Sequence, residues 1–379
     1  MFGQLAAWIV GIGLLLVGVH LFLTPHDWAS LYPRDLKVYQ AAIDAFAAGE
    51  DPYQQARHAH GLIFTGPPFV WELYRLLAHS GLKADFASVL LAADALSVVA
   101  LPVILSRLLL GPGLARIALG AGFYFVAFDG SGFFTALVIN NGTPLYALIA
   151  VGLIPAVARG RWLGFHLAVA LATAFKPFYA AFWIVPLLAD GPWGGQLAAS
   201  AAAFAAAALT YLAPALLAPK LMAAWLHSLT RQTLSEGLLG DNLLGALSHG
   251  PAAHQRPLGA YEAQLAFSAI LLAAAFGLGR FERTRRIAAL MLIAVFLNPR
   301  AMRYDLSTAA IPLLAVVAGI FFSGRPGPLA QAVWAVLLAL VMTLFSQNTT
   351  ADGVLYAGLV VAALLGAIVA SYATPAADA

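Results

Sequence analysis

The chain is a succession of apolar runs separated by short polar turns, most of them approaching the roughly 20 residues that a helix needs to cross a hydrocarbon core. That feature leaves few folds open. Backbone groups in lipid must be bonded within a helix or around a closed barrel. Barrel strands alternate apolar and polar residues in segments of about 10, and these runs do not. Of 379 residues, 62% are hydrophobic and 10% charged, against about 25% charged in soluble domains. A water-soluble fold is excluded, and the expected fold class is an all-α polytopic membrane protein forming one domain over 1–379.

The arginines set the expected topology. Placing the cations of short loops in the cytoplasm makes cytoplasmic turns of Arg107–Arg116, the Arg159-Gly160-Arg161 corner, the segment holding Arg280, Arg283, Arg285 and Arg286, and the turn at Arg325. Helices are then expected near 5–23, 84–106, 114–129, 133–158, 162–176, 177–190, 196–218, 262–280, 286–298, 304–322, 328–346 and 353–372. This gives about twelve spans with both termini cytoplasmic. The 162–176 piece rises only about 22 Å, so it is expected to end below the far surface. Segment 62–82 carries Pro67, Pro68, Glu72, Arg75 and His79 and is expected to lie at or dip into the outer interface. Two long outer loops result, 24–83 and 219–262. The net charge of +3 is spread along the chain, which points away from nucleic acid. With no cysteine, disulfides and thiolate metal sites are excluded.

In this arrangement Arg34, Lys37, Arg57, Arg75, Lys83, Lys176, Lys220, Arg231, Arg256, Arg300 and Arg303 all fall outside. They either snorkel to headgroups or face an anionic ligand. Four outer stretches carry the candidate chemistry. In Pro33–Tyr53, proline suits a helix start, Gly49 suits its end, and Asp35 and Tyr39 share a face at i, i+4. Asp35 either opens the helix favourably or serves as a base. In the second stretch, Asn140 and Asn141 either bind sugar hydroxyls or cap a helix. In the third, Lys176 interrupts an apolar run, which calls for a partner or an aqueous cavity, and Pro177 marks a break. The fourth, Asn298–Leu306, packs Arg300, Arg303, Tyr304 and Asp305 together, with Asp305 either a second carboxylate or the partner of Arg303.

The order Arg34-Asp35, Tyr39, Gly49, Asp51-Pro52-Tyr53, Pro67-Pro68, Asn141-Gly142, Lys176-Pro177 and Pro299, Tyr304-Asp305-Leu306 resembles glycosyltransferase family 87 of the GT-C superfamily. The likeness runs from the first helix to about residue 322. It implies a GT-C-like bundle with interfacial helices in the first outer loop and a polyprenyl-phosphate sugar, mannose-like, as donor. Asp35 takes the position of the catalytic aspartate. The chain departs from relatives in its fourth stretch, where histidine is common near the Tyr304-Asp305 position.

The expected function is therefore hexosyl transfer in the cell envelope, at the outer side of a bacterial plasma membrane, to a lipid or glycan acceptor. Asp35 acts as general base. Lys176 and Arg303, with Arg300 or Arg34, hold the donor phosphate as charge grows on it. Tyr39, Tyr53, Asn140, Asn141, Tyr304 and Asp305 contact sugar or acceptor. No Asp-x-Asp metal pair is present, so neither metal nor cofactor is expected. The alternative is a transporter or flippase of a lipid-linked or anionic substrate, which also carries intramembrane charge and broken helices.

Overall fold

The computed structural model describes residues 1–23, 34–53, 64, 66–81, 85–137, 142–190, 194–234, 243, 247, 257–299, 301, 303–320, 326–345 and 349–373. Within them, the side chains of 21–23, 34–35, 129–137, 194–195, 231–234, 257–258, 260, 303–304, 345, 349–351 and 373 stand outside the description. Among the described residues there is no strand. The helices are α1 (Phe2–Leu23), α2 (Arg34–Ala48), α3 (Pro68–Ala78), α4 (Phe86–Leu105, prolonged by a π turn Ser106–Leu110), α5 (Leu114–Leu137), α6 (Gly142–Arg159) and α7 (Leu163–Phe175). A 3-10 run Pro177–Trp183 leads into α8 (Ile184–Ala189). Then follow α9 (Gly194–Leu217), α10 (Pro219–Leu234), α11 (Pro257–Gly277), α12 (Arg283–Phe296), α13 (Arg303–Ala318), α14 (Pro328–Phe345) and α15 (Thr349–Ala373).

Among the described residues, 6 helices are long and apolar enough to cross a membrane. Shorter apolar helices, including Leu163–Phe175 and Asp305–Ala318, accompany them. The protein is a polytopic helical membrane protein. Its centre is α12 and α13, in which every residue of 287–296 and 305–318 is buried. A helix apolar on all sides must be enclosed by other helices, and α5, α4, α6, α14 and α15 enclose these two. Outer helices show one lipid-facing stripe instead: Leu5, Ile9, Ile12 and Leu16 of α1 are exposed at helical spacing. The opposite face of α1 meets α5 through glycine. A Cβ on Gly11 would stand 2.6 Å from the Ala118 carbonyl carbon, so only a hydrogen there lets the backbones meet, the small-residue packing that suits membrane helices.

All the described helix ends rich in arginine gather at one face. Arg116 Nη2 donates to the Pro326 carbonyl (3.3 Å), Gln331 to the Leu110 carbonyl (3.0 Å), and Arg280 lies 4.2 Å over the Tyr372 ring. Gly3 faces Pro328, and Gly319 faces Arg285. Both ends of the described chain reach this basic face, in agreement with the alternation expected from the arginines.

Several boundaries differ from expectation. A turn was expected after 129, yet the α5 backbone continues through Asp129-Gly130-Ser131-Gly132 to Leu137. Glycine in a helix costs about 1 kcal/mol and does not remove a donor as proline would. A distortion nevertheless marks the spot: Phe128 has φ of 52°, in the left-handed region costly to any residue with a Cβ. Segment 62–82 contains an 11-residue helix, too short to span. The loop 219–262 is in part helical, because α10 fills its first 16 residues and α11 starts at Pro257.

Candidate functional site

A helical hairpin reaches up from the basic face. Helix α7 has 13 residues and rises about 20 Å. The 3-10 run of 7 residues and α8 of 6 residues descend about 23 Å, since a 3-10 residue rises about 2 Å. The base is latched. Trp162 Nε1 donates to Asp190 Oδ2 at 2.6 Å, while Arg283 pairs with Asp190 and donates to the Val157 and Ala156 carbonyls, each at 2.8 Å. The Arg283 guanidinium, against the opposing effect of partial burial, holds the Asp190 carboxyl below its ordinary range. Arg286 adds bonds to the carbonyls of Ala189 (3.1 Å) and Gly279 (2.6 Å).

Lys176-Pro177 is the tip. Proline bars its predecessor from helical geometry, and Lys176 is extended at φ −147°, ψ 115°. Proline also lacks the N–H that would reach the Thr173 carbonyl four residues back. Tyr211 of α9 supplies the missing donor: its hydroxyl lies 2.7 Å from the Thr173 carbonyl and 3.1 Å from that of Ala174. Tyr179 donates to the Gly142 carbonyl at 3.2 Å and stacks edge-on with Tyr146 at 4.9 Å. The tip is thereby tied to the start of α6. The Lys176 ammonium stands 5.9 Å from the Phe178 ring centre.

An aromatic lobe covers this end. Gly49, at φ 71°, ends α2 with the paired bonds Glu50 N–H to Ala45 O (2.8 Å) and Gly49 N–H to Phe46 O (3.3 Å), a left-handed cap that glycine adopts without strain. The chain then turns back so that Val38, Ala42 and Ile43 pack with Tyr53, Phe64, Val70, Trp71, Tyr74 and Trp225. The Tyr53 phenol donates to the Gly66 carbonyl (2.7 Å) and accepts from Trp71 Nε1. Burial pushes its pKa up, outweighing the Trp71 bond, so it stays a neutral donor. Ser228 of α10 donates to the Phe64 carbonyl at 2.6 Å. Ring contacts join the lobe to the tip and to α9: Phe69 meets Phe175 edge-on at 5.1 Å, and Trp225 lies on Tyr211 of α9 at 5.6 Å.

Of the residues expected to carry chemistry, Lys176 is at the tip, half-exposed. Tyr39 is half-buried against Tyr74 at 6.2 Å. Tyr53 is 7% exposed and belongs to the lobe core, so its hydroxyl is engaged in holding the lobe together. Asp305 is buried in the first turn of α13, where a carboxylate meets the favourable end of the helix dipole. Arg34 and Asp35 begin α2 and Arg303 and Tyr304 begin α13, but their side chains lie outside the described residues, as do Arg300, Asn140 and Asn141 altogether. Sequence reasoning passed over Asp94 and Asp352, at 2% and 7% exposure. Asp94 had a visible signal, since it is the one acid within the apolar run 86–110, and such acids mark functional sites. Gly366 faces Ile320, and α13 and α15 both run toward the basic face. That register sets Asp352 level with Asp305 and Leu306. Tyr211 carried no signal in sequence. No family model matches the chain, and no characterised protein or solved structure is significantly similar to it.

Proposed function

We propose that this protein is a membrane glycosyltransferase with a GT-C-like bundle of about twelve spans. It moves a mannose-like hexose from a polyprenyl-phosphate donor to a lipid or glycan acceptor at the lobe face, outside a bacterial plasma membrane. The acceptor hydroxyl gives its proton to Asp35 as its oxygen bonds to the anomeric carbon. The bond from that carbon to the phosphate oxygen breaks, and its electron pair leaves with the phosphate. Attack from the opposite face inverts the centre, by analogy with inverting glycosidases. Lys176 and Arg303, aided by Arg300 or Arg34, neutralise the departing phosphate, so the leaving group needs no acid. Tyr39, Asn140, Asn141, Tyr304 and Asp305 line the sugar and acceptor region.

The observation that supports this reading is the clasp between the lobe, whose first helix begins Arg34-Asp35, and the hairpin tip that presents Lys176. An acid-bearing interfacial helix and a cation at a helix break therefore belong to one end of the bundle. The test is incubation of membranes containing the protein with a panel of polyprenyl-phosphate sugars, with mass spectrometry of the glycolipids. A new glycolipid that requires Asp35 supports the reading; no product from any donor and acceptor pair sinks it. Asp94 buried within a span favours a transporter as the second reading. Uptake of a labelled anionic solute or lipid by proteoliposomes, with no glycosidic product, would select it.

A further inference from the structure

The Lys176-Pro177 break leaves two carbonyls at the end of α7 without their helical donors, and one hydroxyl from a different helix meets both. Tyr211 sits six residues before the end of α9. Its ring lies on Trp225 of α10 at 5.6 Å, and α10 in turn is bonded to the lobe through Ser228 and Phe64. Phe175, the residue before Lys176, is gripped from the other side by Phe69 of α3. Lobe, α9 and hairpin tip thus meet at one phenol.

We infer that Tyr211 is the positioning residue for Lys176: its hydroxyl fixes the last turn of α7 and so sets where the ammonium stands beside the lobe. This inference rests on the reading of Lys176 as a ligand for a lipid-borne phosphate. The physical reason is directional. A helix broken by proline keeps its free carbonyls pointing along its axis, and those of Thr173 and Ala174 point toward the segment that carries Lys176. A water in place of the phenol would satisfy them without tying them to α9. The phenol ties them, because it belongs to a ring held by aromatic packing. Tyr211→Phe keeps that packing and removes only the donor.

The test uses the full-length protein in detergent or nanodiscs, with farnesyl phosphate as the probe. Affinity for the probe is measured by isothermal titration calorimetry for the parent protein, Lys176→Ala, Tyr211→Phe and the double variant. Labelling of Lys176 by acetic anhydride, read by peptide mass spectrometry, reports its protection by the probe in the variants that keep the lysine. The expected result is an affinity loss of about five- to tenfold in Tyr211→Phe, as for one lost hydrogen bond, with weaker protection of Lys176. In the double variant the loss equals that of Lys176→Ala alone, because the tyrosine acts only through the lysine. With Tyr211→Phe, KM for the donor rises while KM for the acceptor stays. Losses that add in the double variant, or unchanged protection in Tyr211→Phe, overturn the inference and leave the Lys176 reading standing. Unchanged affinity in Lys176→Ala overturns the Lys176 reading and the inference with it. Should Tyr211→Phe fail to purify as a folded monodisperse species, Trp225→Leu loosens the same ring from the lobe side. It must weaken protection in the same direction, and unchanged protection there counts against the inference.

Discussion

The two ends of this bundle are held by different forces. At the basic face, arginines reach across helix boundaries to backbone carbonyls and one carboxylate: Arg283 to the carbonyls of Ala156 and Val157 and to the Asp190 side chain, Arg286 to the carbonyls of Ala189 and Gly279, Arg116 to that of Pro326. Charge-assisted bonds of this kind are directional and roughly twice as strong as neutral ones. At the lobe face the contacts between elements are mostly rings, Phe69 on Phe175, Trp225 on Tyr211, Tyr74 on Phe64 and Phe86. The described ion pair there, Arg75 with Glu72, lies within one helix and is half-exposed. Ring packing and neutral hydroxyl bonds, such as those of Tyr211 and Ser228, join the elements there, where the basic face uses charge-assisted bonds. The arginines of the positive-inside pattern are structural braces as well as topology signals.

By this division of labour, substitutions at the lobe face are expected to cost activity and those at the basic face to cost stability. The largest expected effect is Asp35→Asn, which removes the base and lowers turnover by about 10²- to 10⁴-fold, with unchanged membrane insertion; product formation is measured by mass spectrometry. Near-normal turnover in that variant breaks the comparison at its active end. Lys176→Ala comes next, raising KM for the donor by roughly 10- to 100-fold through loss of a charge-assisted phosphate contact, with a thermal midpoint close to the parent. Arg283→Ala acts the other way. It leaves donor KM in place and lowers stability by about 2 kcal/mol, a figure discounted for the partial exposure of the pair, as read by denaturation in detergent. A variant that unfolds no more easily than the parent contradicts the brace.

The same pair gives a pH signature. Asp190 has a depressed folded pKa, so its contribution is complete above the unfolded value of about 3.9 and is lost as pH falls through the folded one. Stability measured below about pH 4 drops in the parent, and the Arg283→Ala variant shows a shallower drop. The smallest effect belongs to Tyr53→Phe, about 1 kcal/mol of local stability, because Trp71 Nε1 keeps the Gly66 carbonyl as a second acceptor at 3.1 Å. Hydrogen exchange over α2 and α3 reads it, and protection equal to the parent's removes the phenol from the lobe's framework.

Much of this fold is legible in the sequence because membrane helices obey one-dimensional rules. Run length, arginine placement and Pro177 locate α7, the 3-10 run and the basic face within a few residues. The short rise of 162–176 and the non-spanning character of 62–82 follow from the same counting. What counting misses has identifiable causes. The α5 helix outruns Gly130 and Gly132 because glycine weakens a helix without removing a donor. Helix α10 hides in a loop because its residues are half polar and lie outside the apolar stripe. Tyr53 reads as a ligand-facing aromatic next to Pro52, whereas packing with Phe64 and Trp71, distant in sequence, makes it core. Tyr211 is one more aromatic in a lipid-facing run until the carbonyls of another helix are brought beside it. At the candidate site, the helix that begins Arg34-Asp35 and the break at Lys176 are visible residue by residue. Their mutual placement depends on contacts between residues far apart in sequence, such as those joining Phe69 to Phe175, Thr173 to Tyr211 and Phe64 to Ser228, which no local pattern encodes.

The hairpin of α7 and α8 has two legs of nearly equal rise with their feet clamped together by Asp190. Such a pair works as a ruler. The depth at which the ammonium of Lys176 stands is counted out by the residues between Trp162 and the break, while Tyr211 governs only its sideways placement. A whole turn inserted into both legs would raise the charge by about 5 Å and drive Phe175 into the lobe; a turn removed would sink it among hydrocarbon. Chain length between two fixed points sets how far the Lys176 ammonium stands from the basic face.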